Sequence, residues 1–111
     1  NTVVPFMPHY YHADRKHVLH ISEQMIKNGI WQFNPGFIVV PLCYTACGRF
    51  DGAITLGVSV WDVAGGNIIV EEAGGTVTDS GGKTWSWRSD LQDIIAANPI
   101  LHEKIMQKII R

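Results

Sequence analysis

The residue best placed to do chemistry in this chain is Asp62, inside the stretch VWDVAGGNIIVEEAGG at residues 60–75. An aromatic–acid pair, Trp61-Asp62, runs into three small residues, Ala64, Gly65 and Gly66. An apolar and acidic helical segment follows, residues 68–73, and Gly74-Gly75 stops it. A carboxylate at the first position of a helix complements the positive end of the helix dipole. It also projects from the helix mouth toward whatever sits there. Small residues just behind it let a ligand approach the backbone. A plain helix cap would place an Asp at the same position, so the spacing alone leaves both readings open. Two glycines inside a helix cost about 1 kcal/mol each relative to alanine. Close packing explains such glycines, and so does close approach of a ligand.

A carboxylate is a hard oxygen donor of the kind Mg²⁺ takes once or twice, with phosphate and water filling its remaining positions. Asp62 therefore needs partners, and the chain offers few. Glu71 and Glu72 lie two to three turns down the helix, too far to share an ion with it. Asp51 and Asp79 sit in Gly-rich turns, where an Asp ordinarily caps its own backbone. His9, His12, His17 and His20 cluster in sequence, and His17 and His20 share a helical face. No third ligand stands at a recognisable metal spacing, so a solvated polar face is the simpler reading. There is no Ser–His–acid layout and no phosphate-binding P-loop. Cys43 and Cys47, four apart in an apolar segment, suit neither a disulfide nor a zinc site; buried, reduced thiols are expected. Reduced thiols fit a cytoplasmic setting.

The elements that must position these groups alternate. Residues 2–6 and 30–33 read as strands, 14–27 as a helix closed by Asn28-Gly29, and 53–56 as a third strand. Residues 37–47 are nearly all apolar and read as a buried helix, although Pro41 requires a kink in a regular interior. The helix carrying Asp62 spans 62–73, and residues 76–78 form a fourth strand. A polar loop with Trp85 and Trp87 occupies 83–90. A strand buried on both faces occupies 91–97, and Asn98-Pro99 opens a last helix whose Leu101, Ile105 and Ile109 share a face. This alternation predicts one layered α/β unit over residues 1–111, with a mainly parallel sheet of about five strands flanked by helices. With 111 residues, 46% apolar and 17% charged, the chain can bury a core. A net charge of −1 gives no case for nucleic acid or an anionic membrane as partner, and no apolar run reaches the length of a membrane span. The chain begins at Asn1 rather than Met, which reads as a processed product or a fragment.

The order of motifs resembles the C-terminal part of the inositol monophosphatase family. Trp61-Asp62-Val63-Ala64-Gly65-Gly66, the aliphatic stretch, and Glu72-Ala73-Gly74-Gly75 resemble its signature, WD-x-A-(A/G)-G, aliphatics, then E-A-G-G. Gly48-Arg49-Phe50-Asp51-Gly52 resembles the G-R-x-D-G turn that precedes it. Residues 76–79, Gly81-Gly82 and 95–98 match in order and spacing. The resemblance implies a Mg²⁺-dependent, lithium-sensitive phosphomonoesterase that attacks a small phosphate ester in line with a metal-activated water. It assigns Asp62 both a metal-ligand role and a contact to the substrate's alcohol portion. It also places Gly36, Phe37, Ile38 and Thr55 at the substrate. The family's other metal ligands, an N-terminal glutamate and a D-P-x-D-G-(S/T) stretch, do not occur in this chain. The resemblance therefore implies an isolated segment without activity, completed by an N-terminal half of the same protein and tending to form homo-oligomers.

Two departures bear on substrate. Seven residues before the WD acid the family often carries a glutamate that binds ring hydroxyls, and here stands Thr55. Where the family often has G-(S/T)-A-A, this chain has Gly36-Phe37-Ile38-Val39, whose larger apolar side chains narrow a polyol pocket. A second, different reading is a non-catalytic interaction module that kept the fold, with Trp85 and Trp87 exposed toward a partner.

Overall fold

A computed structural model describes residues 2–87 and 90–111. The elements follow in the order β1 (Val3–Pro8), α1 (Arg15–Lys27), β2 (Trp31–Phe33), α2 (Val39–Ala46), β3 (Gly52–Val58), α3 (Val60–Glu72), β4 (Thr76–Thr78), β5 (Gln92–Ala97) and α4 (Pro99–Ile105). A π-helical turn, Met106–Ile110, continues α4. Short-range chemistry sets the starts of two of the helices. Asp14 accepts a hydrogen bond from Lys16 N at 3.1 Å and opens α1. Asn98 accepts one from Leu101 N at 2.8 Å, with Pro99 as first helical residue, and opens α4. Both starts use side-chain oxygens to satisfy helix N–H groups that have no partner inside the helix. Pro41 is the third residue of α2, where an N–H would have no intrahelical acceptor, so the proline removes no hydrogen bond from this helix.

The five strands form one sheet in the order β2-β1-β3-β5-β4. β1 is parallel to both β2 and β3, while β5 is antiparallel to both β3 and β4. The sheet is thus mixed rather than mainly parallel. The physical reason lies between β4 and β5: that connection carries no helix, so the chain turns back instead of crossing over. Of the loop expected at 83–90, residues 88 and 89 lie outside the described residues.

Side chains alternate across the sheet and divide the core in two. Val4, Phe6, Ile54, Leu56, Ile95 and Ala97 face α1, α4 and the π-helical turn, meeting Ile21, Met25, Ile105 and Ile109. Met7, Ala53, Ile94 and Ala96 face α2 and α3, meeting Leu42, Val63 and Val70. The result is three layers, helices on both faces of the sheet. The cysteines depart from expectation: Cys43 is half-buried and Cys47 exposed, both as free thiols. Pro41 and Leu42 are the buried residues of α2, Ala46 packs against the core beside them, and Cys47 follows at the outer end of that helix. Trp85 is half-buried rather than exposed, packed against the α2–α3 side of the core. No helix among the described residues is long and apolar enough to cross a membrane.

Candidate functional site

Because β1, β2 and β3 run the same way, the loops that leave their C-terminal ends meet along one edge of the sheet. Open α/β sheets take ligands at that edge. Here it gathers residues 9–14 after β1, 34–38 after β2, and Ser59 after β3. A cavity of about 200 Å³ lies among them, walled by Met7 to Tyr10, Gly36 to Ile38, Asn34 and Val58. Gly36 has φ +84° and donates its N–H to Asn34 Oδ1 at 2.9 Å, a tight turn that a side chain at Gly36 would strain. Phe37 is 53% exposed, and Ile38 leans on the α2–α3 core.

Asp62 stands on the neighbouring helix but does not cap it. α3 begins at Val60, and its cap is Ser59, whose hydroxyl oxygen accepts from Trp61 N at 3.3 Å. Asp62 is the third helical residue rather than the first. Its carboxylate is exposed at the positive end of the helix and makes no hydrogen bond or ion pair among the described residues. The two glycines behind it divide the roles the sequence left open. Gly66 is buried, and a Cβ there would stand 2.6 Å from Leu42 Cδ1. Gly65 is exposed on the same face as Asp62, with nothing within 4 Å of the Cβ position. One glycine serves packing; the other leaves open space beside the carboxylate.

The structure brings Gly36, Phe37 and Ile38 together in one wall, while Asp62 and Thr55 line no part of that cavity. Thr55 is 1% exposed, and its hydroxyl donates to the Met7 carbonyl at 2.7 Å. Glu71 accepts from Trp85 Nε1 at 3.0 Å, down the helix from Asp62. Asp79 accepts from the N–H groups of Gly81 and Lys83, capping its own turn. Asp51 instead reaches across the sheet to accept from Val3 N at 2.7 Å. His9 Nδ1 accepts from the Tyr11 and His12 N–H groups, and the His9 and His12 rings lie 4.3 Å apart. Among the described residues no three His, Cys, Asp or Glu side chains converge on a point that could hold a metal ion.

Asp93 escaped the sequence reading. Its oxygens accept from Gly57 N and Ser80 Oγ, both at 3.0 Å, and His17 Nδ1 lies 3.9 Å away. One signal was available: it is a lone acid beside the apolar run Ile94-Ile95-Ala96-Ala97, and a charge there needs partners.

Set against known proteins, residues 10–111 match the inositol monophosphatase family. A "Nus factor SuhB" of Pasteurella multocida is 43% identical over 75 residues, which are 67% of this chain and 27% of that protein. An "Inositol-1-monophosphatase ImpA" of Mycolicibacterium smegmatis is 43% identical over 68 residues, 61% of this chain and 24% of that protein. The crystal structure of the extragenic suppressor protein suhB of Bartonella henselae superimposes with a TM-score of 0.79 at 28% identity, over 100% of this chain and 43% of that one. The matched stretch therefore spans about a quarter of the curated relatives' length, and the chain covers less than half of the solved structure.

Proposed function

This chain belongs to the inositol monophosphatase family, and from that premise we propose that it is the C-terminal, substrate-binding half of a Mg²⁺-dependent phosphomonoesterase. Its substrate is an inositol phosphate, the ester in the name of the ImpA relative, or a related sugar or alcohol phosphate. The carrying observation is Asp62: an exposed carboxylate at a helix N-terminus, released from capping by Ser59, with open space at Gly65. Ser59 already supplies the cap, so capping does not account for an acid at this position. Gly36, Phe37, Ile38 and Thr55 stay with the proposal as substrate-side residues, Thr55 as a buried support for the end of β1.

The residues present do not fit a complete Mg²⁺ site, because near-octahedral oxygen ligation needs more than one carboxylate. Asp62 is one ligand of a site completed by an N-terminal half of the same protein, and the isolated segment is inactive. The free thiols of Cys43 and Cys47 fit a reducing, cytoplasmic setting.

The test is a phosphate-ester panel with the full-length protein that carries this segment, comparing wild type with Asp62→Asn. Mg²⁺-dependent hydrolysis is expected, reduced about 100-fold or more in the variant, since even outer-shell partners of metal ligands cost 10–100-fold when removed. Undiminished activity in Asp62→Asn, or turnover by residues 1–111 alone, overturns the proposal. The second reading, a non-catalytic interaction module, is favoured by the adjacent, exposed Trp61 and Trp87, whose rings are tilted at 56° and which are 78% and 62% accessible. A full-length protein inert toward every ester in the panel selects it.

A further inference from the structure

Gly57 interrupts the ladder between β3 and β5. Thr55 pairs with Ile94 and Val58 with Gln92, so Leu56 and Gly57 stand together opposite the single residue Asp93. An extra residue in one strand is a bulge, and it switches the side to which every later side chain points. The core shows the switch. Ile54 and Leu56 face α1 and α4, yet Val58, two residues further on, faces α2 and α3. One residue later the chain reaches Ser59 and enters α3. The bulge therefore sets the entry of the helix that presents Asp62.

The bulge is held in two ways. Gly57 has φ +70°, and a Cβ there would stand 2.8 Å from the His12 carbonyl carbon and 2.9 Å from Ala13 N. Backbone freedom and close approach both require glycine, and the loop after β1 packs directly on it. The Gly57 N–H, displaced from the regular ladder, is taken by Asp93 Oδ1 at 3.0 Å. The other oxygen of the same carboxylate accepts from Ser80 Oγ at 3.0 Å, in the turn after β4, and lies 3.9 Å from His17 Nδ1 on α1. One side chain thus joins the bulge, the β4 turn, the first turn of α1 and the start of β5. All of them lie at the sheet edge that carries residues 34–38 and Asp62.

We infer that Asp93 is a positioning residue for the Asp62 site: its carboxylate fixes the Gly57 bulge and thereby the direction in which α3 presents Asp62. The role in catalysis rests on the phosphatase reading above; the role in orienting α3 does not. The experiment uses the full-length protein with Asp93→Ala, and with Asp93→Asn, which keeps one oxygen for the Gly57 N–H and guards against a variant that fails to fold. Amide hydrogen exchange is read at residues 57–63 and, as internal reference, in α4. Asp93→Ala is expected to speed exchange at 57–63 about tenfold relative to α4, and Asp93→Asn to restore most of the protection. In the same proteins the Mg²⁺ concentration for half-maximal hydrolysis is expected to rise about tenfold in Asp93→Ala, the size seen when a supporting partner of a metal ligand is lost, and to recover in Asp93→Asn. Unchanged exchange at 57–63, or a rise shared equally by α4, overturns the inference. So does a local rise with an unaltered Mg²⁺ requirement. A wild-type protein without hydrolytic activity rejects the phosphatase reading instead, and the exchange pattern then decides alone whether Asp93 orients α3.

Discussion

Two hydroxyl side chains decide how two more reactive residues are used. Ser59 takes the cap of α3 and leaves the Asp62 carboxylate free at the helix mouth. The Thr78 hydroxyl lies 2.9 Å from the Asp79 carbonyl oxygen and 2.8 Å from His102 Nε2, so it gives the buried ring a hydrogen-bond partner. His102 is 8% exposed, and burial lowers its pKa from the usual 6.5. Between that lowered value and 6.5 the unfolded chain binds a proton that the folded chain refuses. Its contribution to stability is complete above 6.5 and is lost as pH falls toward the lowered pKa. Urea unfolding of this chain from pH 7.5 to pH 5 tests this. Wild type should lose more stability over that range than His102→Gln, and parallel losses refute it.

At the scale of elements, α2 and α3 pack through one glycine. A methyl at Gly66 would stand 2.7 Å from Leu42 Cβ as well as against its Cδ1, and Leu42 is fully buried. Overpacking of this kind costs about 1–3 kcal/mol, more than the roughly 1 kcal/mol that alanine gains over glycine in a helix. Gly65→Ala meets nothing and keeps the gain. Thermal unfolding should therefore move in opposite directions, up for Gly65→Ala and down for Gly66→Ala; a shared direction contradicts the packing described. The two glycines look alike in sequence because a helix repeat does not say which neighbour arrives. The starts at Asp14 and Asn98 were legible because a cap needs only residues two or three positions away. The direction of β5 was not read, since strand pairing is decided by distant partners. Its signal was the missing helix between β4 and β5. Asp62 was legible from its local neighbours, whereas Asp93 acts on Gly57, 36 positions away.

For the whole molecule, the balance of surface matters more than any single site. Leu19, Ile26 and Trp31 are 70%, 71% and 67% exposed on α1 and the adjoining edge strand β2, and Trp61 and Trp87 form a second apolar area with ring centroids 6.1 Å apart. The outer edge of β2 lacks a strand partner in the sheet order, and no lysine or proline lies within it to blunt it. A net charge of −1 supplies almost no long-range repulsion between copies. Apolar areas of this kind drive association unless another part of the protein covers them. Sedimentation velocity of residues 1–111 should show a mass that rises with concentration. Trp31→Lys should shift the distribution toward monomer if the β2 edge is the contact, and Trp61→Lys if the tryptophan pair is. A single monomeric species across the accessible concentration range would show that these surfaces are tolerated in water, and the case for a covering half or a second copy would fail with it.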